Sequence, residues 1–267
     1  MGIKKNILGR FSWKRLITSL ILIYVIMNVF VHFVSDGMMF PYNQTSYDKN
    51  LKNLKFIKTN GGLNIATKFW KAENEKYLII YFHGNYLDLG HLDESAKKFN
   101  DQGYSVLAMD YRGYGLSQGL ATENNAYNDS QLLYDEALDL GYKEDQLLIL
   151  GRSIGTGVAT ELALNNKSKA LILVSPFTSA YRVMTNIALT PFDKFNNLSK
   201  MSDMQTPLFI LHGSDDKIIK PWHSEKLYNQ HNGAKKRHLI IGADHNNIWA
   251  HDLAKMMNEI ELFVKSI

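Results

Sequence analysis

The sequence contains no cysteine. It therefore has no thiol nucleophile, no disulfide, no S-acylation site and no thiolate ligand for a metal. Disulfide-free domains occur in oxidising and reducing spaces alike, so this absence leaves the compartment open. The sequence also lacks internal repeats and low-complexity tracts. Its 267 residues allow one large domain with a full core, or two small ones.

Most of the chain carries no net positive charge. Of the 30 basic residues, five lie in residues 1–15, which contain no acid. The other 25 face 26 acidic residues, so residues 16–267 sum to −1. A near-neutral body has no electrostatic footprint for nucleic acid, and we expect no such partner.

Neither metal-ligand spacing nor a phosphate-binding Gly-Lys-Ser/Thr ending is found, so we expect no metal or cofactor.

One long apolar run is present, the 19 uncharged residues from Leu16 to Val34. A helix that crosses the hydrocarbon core needs about 20 apolar residues. The positive residues precede the run, so we predict a single-pass anchor in the lipid bilayer with a cytoplasmic N-terminus. The rest of the chain would then be extracytoplasmic, either periplasmic or extracellular. Two alternatives stay open: a signal peptide cleaved near Ser35 and Gly37, and a helix lying on the membrane surface.

The body is predicted to be an α/β domain. Residues 53–59 and 63–70, separated by Asn60-Gly61-Gly62, are typical of a β-hairpin. Apolar strands then alternate with amphipathic helices, which indicates a mostly parallel, twisted sheet covered by helices on both faces. An irregular stretch at 176–206 is expected to form a short cap. The predicted strands are 77–82, 105–111, 146–150, 170–175, 207–212 and 237–242. The predicted segments are a basic cytoplasmic tail (1–15), a transmembrane anchor (16–34), a tether (35–52) and the folded domain (53–267).

The motif Gly151-Arg152-Ser153-Ile154-Gly155 lies between a predicted strand and a predicted helix. This context is that of a nucleophile elbow, G-x-S-x-G, in which a strained turn exposes the serine hydroxyl above a helix N-terminus. We predict that Ser153 is a nucleophile. The alternative is a Gly-rich turn in which the serine only caps the helix.

A serine nucleophile needs a histidine base and a carboxylate that orients it. Asp216 follows the next-to-last predicted strand and His245 follows the last one. Ser153, Asp216 and His245 therefore come in the order Ser…Asp…His, each after a different strand. Asp215 is an alternative to Asp216. Asp244 is expected to form a local turn.

Two loops are predicted to complete this site. His83-Gly84-Asn85-Tyr86 ends the strand at 77–82, where a second oxyanion donor is expected. The backbone N–H groups of Asn85 (or Tyr86) and Ile154 would hold the oxyanion. The turn at Asp110–Ser117 is expected to shape the site without reacting.

Taken together, these motifs resemble the α/β-hydrolase superfamily over about residues 40–265. The similarity is strongest to the single-pass or lipid-anchored branch with the eukaryotic protein depalmitoylases and bacterial homologues, near the serine aminopeptidases and monoacylglycerol lipases. The resemblance implies an α/β-hydrolase fold and favours Asp216, because the family's acid is the fourth residue after the histidine, here His212. The chain departs from the family at Tyr86, where a small residue is usual, and we expect Tyr86 to narrow the pocket. The matching motifs are Phe82-His83-Gly84-Asn85, Asp88-Leu89-Gly90, Asp110-Tyr111-Arg112-Gly113-Tyr114-Gly115, Gly151–Gly155, Ser175–Ser179, His212-Gly213-x-x-Asp216 and His245-Asn246-x-Ile248.

The expected activity is hydrolysis of an acyl ester or thioester through an acyl-enzyme. The aromatic residues of the 176–206 stretch are candidates to line an acyl pocket, although core packing also explains them. They are Phe177, Tyr181, Phe192 and Phe195. Two other functions stay open: a peptidase or amidase that uses the same triad, and a non-catalytic tethered binding module on this scaffold.

Overall fold

The computed structural model describes residues 11–42, 44–251 and 253–267. In this part of the chain one sheet is flanked by helices. Its strands are β1 (Leu54–Lys58), β2 (Asn64–Trp70), β3 (Tyr77–Phe82), β4 (Tyr104–Met109), β5 (Leu147–Arg152), β6 (Ala170–Val174), β7 (Leu208–Gly213) and β8 (Lys235–Ile240). The helices are α1 (Trp13–Met39), α2 (Asp93–Asn100), α3 (Glu123–Asp139), α4 (Gly155–Asn165), α5 (Ala180–Met184), α6 (Asn197–Lys200), α7 (Trp222–Gln230), α8 (Ile248–His251) and α9 (Leu253–Ser266).

The sheet is mostly parallel, as predicted. Its strand order is β1-β2-β4-β3-β5-β6-β7-β8. The hairpin β1–β2 is antiparallel and joins β4 in antiparallel fashion, whereas β4, β3 and β5 to β8 run parallel to one another. The predicted α/β fold class is therefore confirmed.

Helices cover both faces of the sheet, because strand side chains alternate between two cores. In β3, Ile80 belongs to a core with Leu133 of α3, and Ile79 belongs to a second core with Phe99 of α2. Both isoleucines are almost completely buried. Burial on both faces explains why a central strand such as β3 is continuously apolar.

The parallel arrangement brings four loops to one edge of the sheet. Strands β3, β5, β7 and β8 all end there, and the loops after them carry Asn85, Ser153, Asp216 and His245. Reactive groups in open α/β sheets collect at this edge.

Helix α1 extends further than the predicted anchor at 16–34 and is long and apolar enough to cross a membrane. It includes the first five residues of the segment predicted as a tether (35–52). Beyond its end, Phe40 is buried and packs edge-on against the rings of Tyr111 and Phe195. The segment thus contacts the folded domain directly. Most of the predicted basic tail (1–15) lies outside the described residues.

The 176–206 stretch forms a cap that contains the short helices α5 and α6. Asp193 organises it by accepting hydrogen bonds from Ser179 Oγ at 2.7 Å and from the Tyr181 backbone at 2.9 Å. Glu123 of α3 accepts a further hydrogen bond from the Phe195 backbone N–H at 2.5 Å. The cap is therefore fastened to the domain beneath it.

Candidate active site

Ser153 occupies a strained backbone conformation at the turn between β5 and α4. Its φ angle is 53°, in the left-handed region that non-glycine residues rarely adopt. Both neighbouring glycines are required by packing. A Cβ on Gly151 would lie 2.3 Å from the Gly155 carbonyl oxygen, and a Cβ on Gly155 would lie 2.2 Å from that of Phe82. Strand and helix meet too closely for any side chain, so the turn has the geometry of a nucleophile elbow.

The structure brings the three predicted triad side chains together. Ser153 Oγ lies 3.0 Å from His245 Nε2, and His245 Nδ1 lies 2.8 Å from Asp216 Oδ2. Asp216 and His245 are both buried. A hydroxyl, an imidazole and a carboxylate at these distances can pass a proton from the hydroxyl to the imidazole and stabilise the resulting charge.

Asp216 is held as a carboxylate by its surroundings. Its Oδ1 accepts hydrogen bonds from the backbone N–H groups of Ile218 at 3.0 Å and Ile219 at 2.8 Å. Burial alone would raise the pKa of Asp216, but hydrogen bonds from His212, His245 and Ile219 outweigh it and lower that pKa well below its usual range. Asp216 is therefore ionised at neutral pH.

The alternative carboxylate, Asp215, is exposed and accepts a hydrogen bond from the neighbouring Ser214 Oγ at 2.7 Å. Asp244 is also exposed, and its Oδ1 accepts hydrogen bonds from the backbone of Asn246 and Asn247, which makes it the local turn former that was expected. Geometry thus favours Asp216 as the partner of His245.

His212 opens the motif His212-Gly213-x-x-Asp216, but no role in the site was predicted for it. Its Nε2 lies 3.4 Å from Asp216 Oδ2 and 2.7 Å from the Ile219 carbonyl oxygen, and the side chain is fully buried. His212 thus fixes both the carboxylate and the loop that carries it. The signal was its position four residues before Asp216, at a strand end.

Arg152 positions the loop that carries His245. It occupies the second position of the elbow, and its Nη2 donates a hydrogen bond to the His245 carbonyl oxygen at 3.0 Å. The turn that carries Ser153 and the loop that carries His245 are therefore linked by this hydrogen bond as well as by the contact between the side chains of Ser153 and His245.

The loop after β3 lies over Ser153. A Cβ on Gly84 would be 3.8 Å from Ser153 Cβ. Tyr114 Oη donates to the Asn85 carbonyl oxygen at 3.0 Å, and Tyr111 Oη donates to that of His83 at 2.8 Å. The turn at Asp110–Ser117 thus shapes this loop.

The backbone N–H groups of Asn85 and Ile154 have no hydrogen-bond acceptor within the described part of the chain. Ile154 directly precedes the first residue of α4, where N–H groups lack helical partners. The two groups are therefore not engaged in hydrogen bonds within this part of the chain.

A cavity of about 520 Å³ lies above Ser153 and is lined mainly by apolar side chains. Phe177 and Tyr181 line it, and Phe177 also belongs to the core, whereas Phe195 is buried in the core and Phe192 lines a separate cavity. The expectation for Tyr86 is wrong. Its side chain is 67% exposed and does not line the cavity, because it points to solvent.

No group of three or more His, Asp or Glu side chains in residues 11–42, 44–251 and 253–267 is arranged to hold a metal ion. The donor set at Ser153 is one hydroxyl, one imidazole and one carboxylate joined to each other. This arrangement suits proton transfer from the Ser153 hydroxyl to the His245 imidazole, with the Asp216 carboxylate stabilising the resulting charge.

Two sequence comparisons found known proteins that are similar to this chain. The sequence model of the family described as serine aminopeptidase, S33, matches residues 73–200. Alpha/beta hydrolase domain-containing protein 17B of Homo sapiens is 31% identical over 212 residues, which cover 78% of this chain and 74% of the human protein.

Two solved structures share the fold at low sequence identity. An esterase of Pyrococcus furiosus is 17% identical with a TM-score of 0.66, and the match covers 85% of this chain and 96% of the esterase. A soluble variant of monoglyceride lipase from Saccharomyces cerevisiae is 16% identical with a TM-score of 0.62, covering 84% and 98%. The similarity to alpha/beta hydrolase domain-containing protein 17B shows that the chain belongs to the α/β-hydrolase family and is a serine hydrolase.

Proposed function

We propose that this serine hydrolase cleaves acyl esters or thioesters through an acyl-enzyme on Ser153. The observation that carries the proposal is the chain of contacts from Ser153 Oγ to His245 at 3.0 Å and from His245 to Asp216 at 2.8 Å, at the floor of an apolar cavity. An apolar cavity with few convergent polar groups suits an acyl chain with a single reactive carbonyl.

In the proposed mechanism, His245 Nε2 takes the proton of Ser153 Oγ while that oxygen bonds to the substrate carbonyl carbon. Asp216 keeps the imidazole oriented and stabilises its positive charge. The backbone N–H groups of Asn85 and Ile154 hold the tetrahedral oxyanion. The bond from the carbonyl carbon to oxygen or sulfur then breaks, and His245 returns the proton to the leaving group. Water activated by His245 hydrolyses the acyl-enzyme and frees Ser153.

The lining of the cavity supports an ester or thioester over a peptide. An aminopeptidase must bind the ammonium group of its substrate, which usually requires a carboxylate. The only charged side chain among the described lining residues is Arg182, and none is acidic. The resemblance to the protein depalmitoylases supports the same substrate class.

We further propose that residues 16–34 anchor the enzyme in a bilayer, with the N-terminus in the cytoplasm and the catalytic domain outside it. The length and apolar composition of α1 and the positive charges before it support this topology. External protease added to sealed cells should digest the catalytic domain. Protection of the domain would contradict the orientation.

Fluorophosphonate labelling of the full chain tests the catalytic proposal. The wild type should be labelled and Ser153→Ala should not, while both remain folded. Turnover of nitrophenyl esters should exceed that of the matching anilides. Labelling that persists in Ser153→Ala would exclude this nucleophile, absence of labelling would favour a non-catalytic binding module, and faster anilide turnover would favour a peptidase or amidase.

A further inference from the structure

The second half of α1 forms one wall of the cavity above Ser153. Met27, Val31, Val34 and Met38 all line it, at spacings of three or four residues. Residues at these spacings lie on one face of a helix. The cavity therefore runs along about three turns of α1, and Ser153 lies among its other lining residues.

This wall is fixed to the catalytic domain by specific contacts. Asp36 forms an ion pair with Lys194 of the cap at 2.6 Å, and the ring of His32 contacts that of Phe192 edge-on at 5.5 Å. Phe40, directly after the helix, is buried among aromatic rings of the domain. Helix and domain thus share one packed interface around the cavity.

The length of α1 places part of this cavity at the depth of the bilayer. Lys14 and Arg15 are costly in hydrocarbon, so the span begins near Leu16. At 1.5 Å per residue, a hydrocarbon core of about 30 Å is crossed only at about Val34. Residues 16–26 alone, which precede the cavity wall, would cover only about 17 Å. Met27 and the next two turns must therefore lie inside the hydrocarbon region.

The cap supports the same depth. Met184, Ile187 and Leu189 are exposed by 79%, 65% and 45%, and Met184 and Leu189 also line the cavity. Large apolar side chains exposed together mark a surface that contacts a partner or a membrane. Beside a membrane helix, the fitting contact is lipid.

We propose that α1 is a wall of an acyl-chain site that opens into the bilayer, so that the acyl chain of a membrane-resident ester or thioester lies along Met27–Met38 with its carbonyl at Ser153. This inference rests on the proposed function. Met27 and Met38 are about 16 Å apart along the helix. At about 1.2 Å per bond of an extended chain, this distance accommodates about fourteen carbons. The volume of about 520 Å³ lies within the range of small-molecule sites.

A matched pair of variants on α1 tests the proposal in the full chain in detergent. Val31→Trp fills the cavity, whereas Ile26→Trp places the same ring at an exposed position that does not line it. Each methylene that is buried on binding raises the affinity for the acyl chain about fourfold. We expect Val31→Trp to lower kcat/KM for the nitrophenyl hexadecanoate ester roughly tenfold or more and to leave the butanoate ester within about twofold. Ile26→Trp should leave both unchanged. An equal effect of the two variants on the hexadecanoate ester would overturn the proposal.

A cross-linking measurement keeps the test independent of how Val31→Trp folds. The wild type is labelled at Ser153 with a hexadecyl fluorophosphonate that carries a diazirine at its far end, and is then irradiated. Cross-links should map to residues 27–39. Labelling at Ser153 with cross-links confined to other segments would overturn the acyl site and leave the proposed function intact. No labelling of Ser153 by this probe or by a small fluorophosphonate would reject the proposed function itself.

The source of the acyl chain is tested with the same hexadecanoate ester in two forms. The enzyme is reconstituted in phosphatidylcholine vesicles, and the ester is either dissolved in those vesicles or carried on albumin in solution. Faster turnover of the vesicle-borne ester is expected. Equal or faster turnover of the albumin-borne ester would show entry from water and overturn the opening into the bilayer.

Discussion

Lys194 Nζ in the cap lies 2.6 Å from Asp36 Oδ2 in the last turn of α1. The two side chains are only 12% and 22% exposed. Asp36 Oδ1 also accepts a hydrogen bond at 3.4 Å from the backbone N–H of Glu123, at the start of α3. The Asp36 carboxylate thus connects α1 to the cap and to the first residue of α3.

Removal of this ion pair should loosen the cap. In Lys194→Met, the Asp36 carboxylate loses its ion-pair partner, and we expect a loss of about 1–2 kcal/mol in the free energy of unfolding because both groups are largely but not fully buried. Limited proteolysis within residues 184–192 and thermal unfolding in detergent measure the effect. The control is Lys167→Met, whose partner Glu144 is 4.0 Å away at the surface. Equal sensitivity of the two variants would contradict a structural role for Asp36–Lys194.

Gly155→Ala should prevent the strand–helix packing at the elbow. The new Cβ would lie 2.2 Å from a backbone oxygen of Phe82, which cannot move without displacing β3. We expect a loss of at least about 3 kcal/mol, or a fall of about 6 °C or more in the unfolding midpoint. Gly37→Ala is the control, because nothing lies within 4 Å of its Cβ. A Gly155→Ala protein as stable as the control would contradict the close packing.

Asp216→Asn should lower kcat by roughly 10⁴-fold if Asp216 orients His245, because an amide favours the wrong tautomer of the imidazole. Asp215→Asn should stay within about twofold of the wild type, since the Asp215 side chain is exposed and contacts Ser214. Steady-state hydrolysis of a nitrophenyl ester by both variants measures the difference. A larger loss for Asp215→Asn would exchange the two roles.

His223 should make stability depend on pH. Burial lowers its pKa to about 4, with His212 and Lys226 acting in the same direction, and its Nδ1 accepts a hydrogen bond from the Thr178 N–H at 3.2 Å. Between its unfolded value of 6.5 and about 4, the unfolded chain binds a proton that the folded chain does not. Stability therefore falls as the pH falls through this range, by up to about 1.4 kcal/mol per pH unit.

His223→Asn tests this dependence, because an amide oxygen can accept the same hydrogen bond without titrating. The urea midpoint measured from pH about 7 to about 4.5 should decline less steeply in the variant than in the wild type. Identical slopes would show that His223 does not contribute.

Much of the fold could be predicted because it depends on local patterns. The continuous apolar run of β3 predicted its bounds correctly, and Ser153 and Asp216 follow similar apolar runs, whereas His245 follows β8, whose first residues are polar. Because the carboxyl ends of parallel strands lie at one edge of the sheet, local patterns were sufficient to predict that these side chains lie close together. Strand β8 begins two residues earlier than predicted, since its pairing with β7 extends over the polar residues Lys235 and Lys236.

The cavity wall could not be predicted, because it depends on contacts between distant residues. Asp36 and Lys194 are separated by most of the domain, and neither belongs to a motif. Apolar periodicity in a membrane helix is uninformative about packing, because every face is apolar. Burial of Phe40 likewise depends on the direction in which the chain leaves α1. The sequence therefore predicted which three side chains meet at Ser153 and, with Phe177 and Tyr181, part of the cavity lining, but not the wall that α1 forms.

Trapping the acyl-enzyme tests the proposed nucleophile most directly. The full chain is mixed with nitrophenyl hexadecanoate, quenched in acid during turnover and digested for peptide mass spectrometry. We predict a single hexadecanoyl group on Ser153, absent from Ser153→Ala, which should also lose turnover. A hexadecanoyl group on another residue, or turnover retained by Ser153→Ala, would contradict catalysis by Ser153.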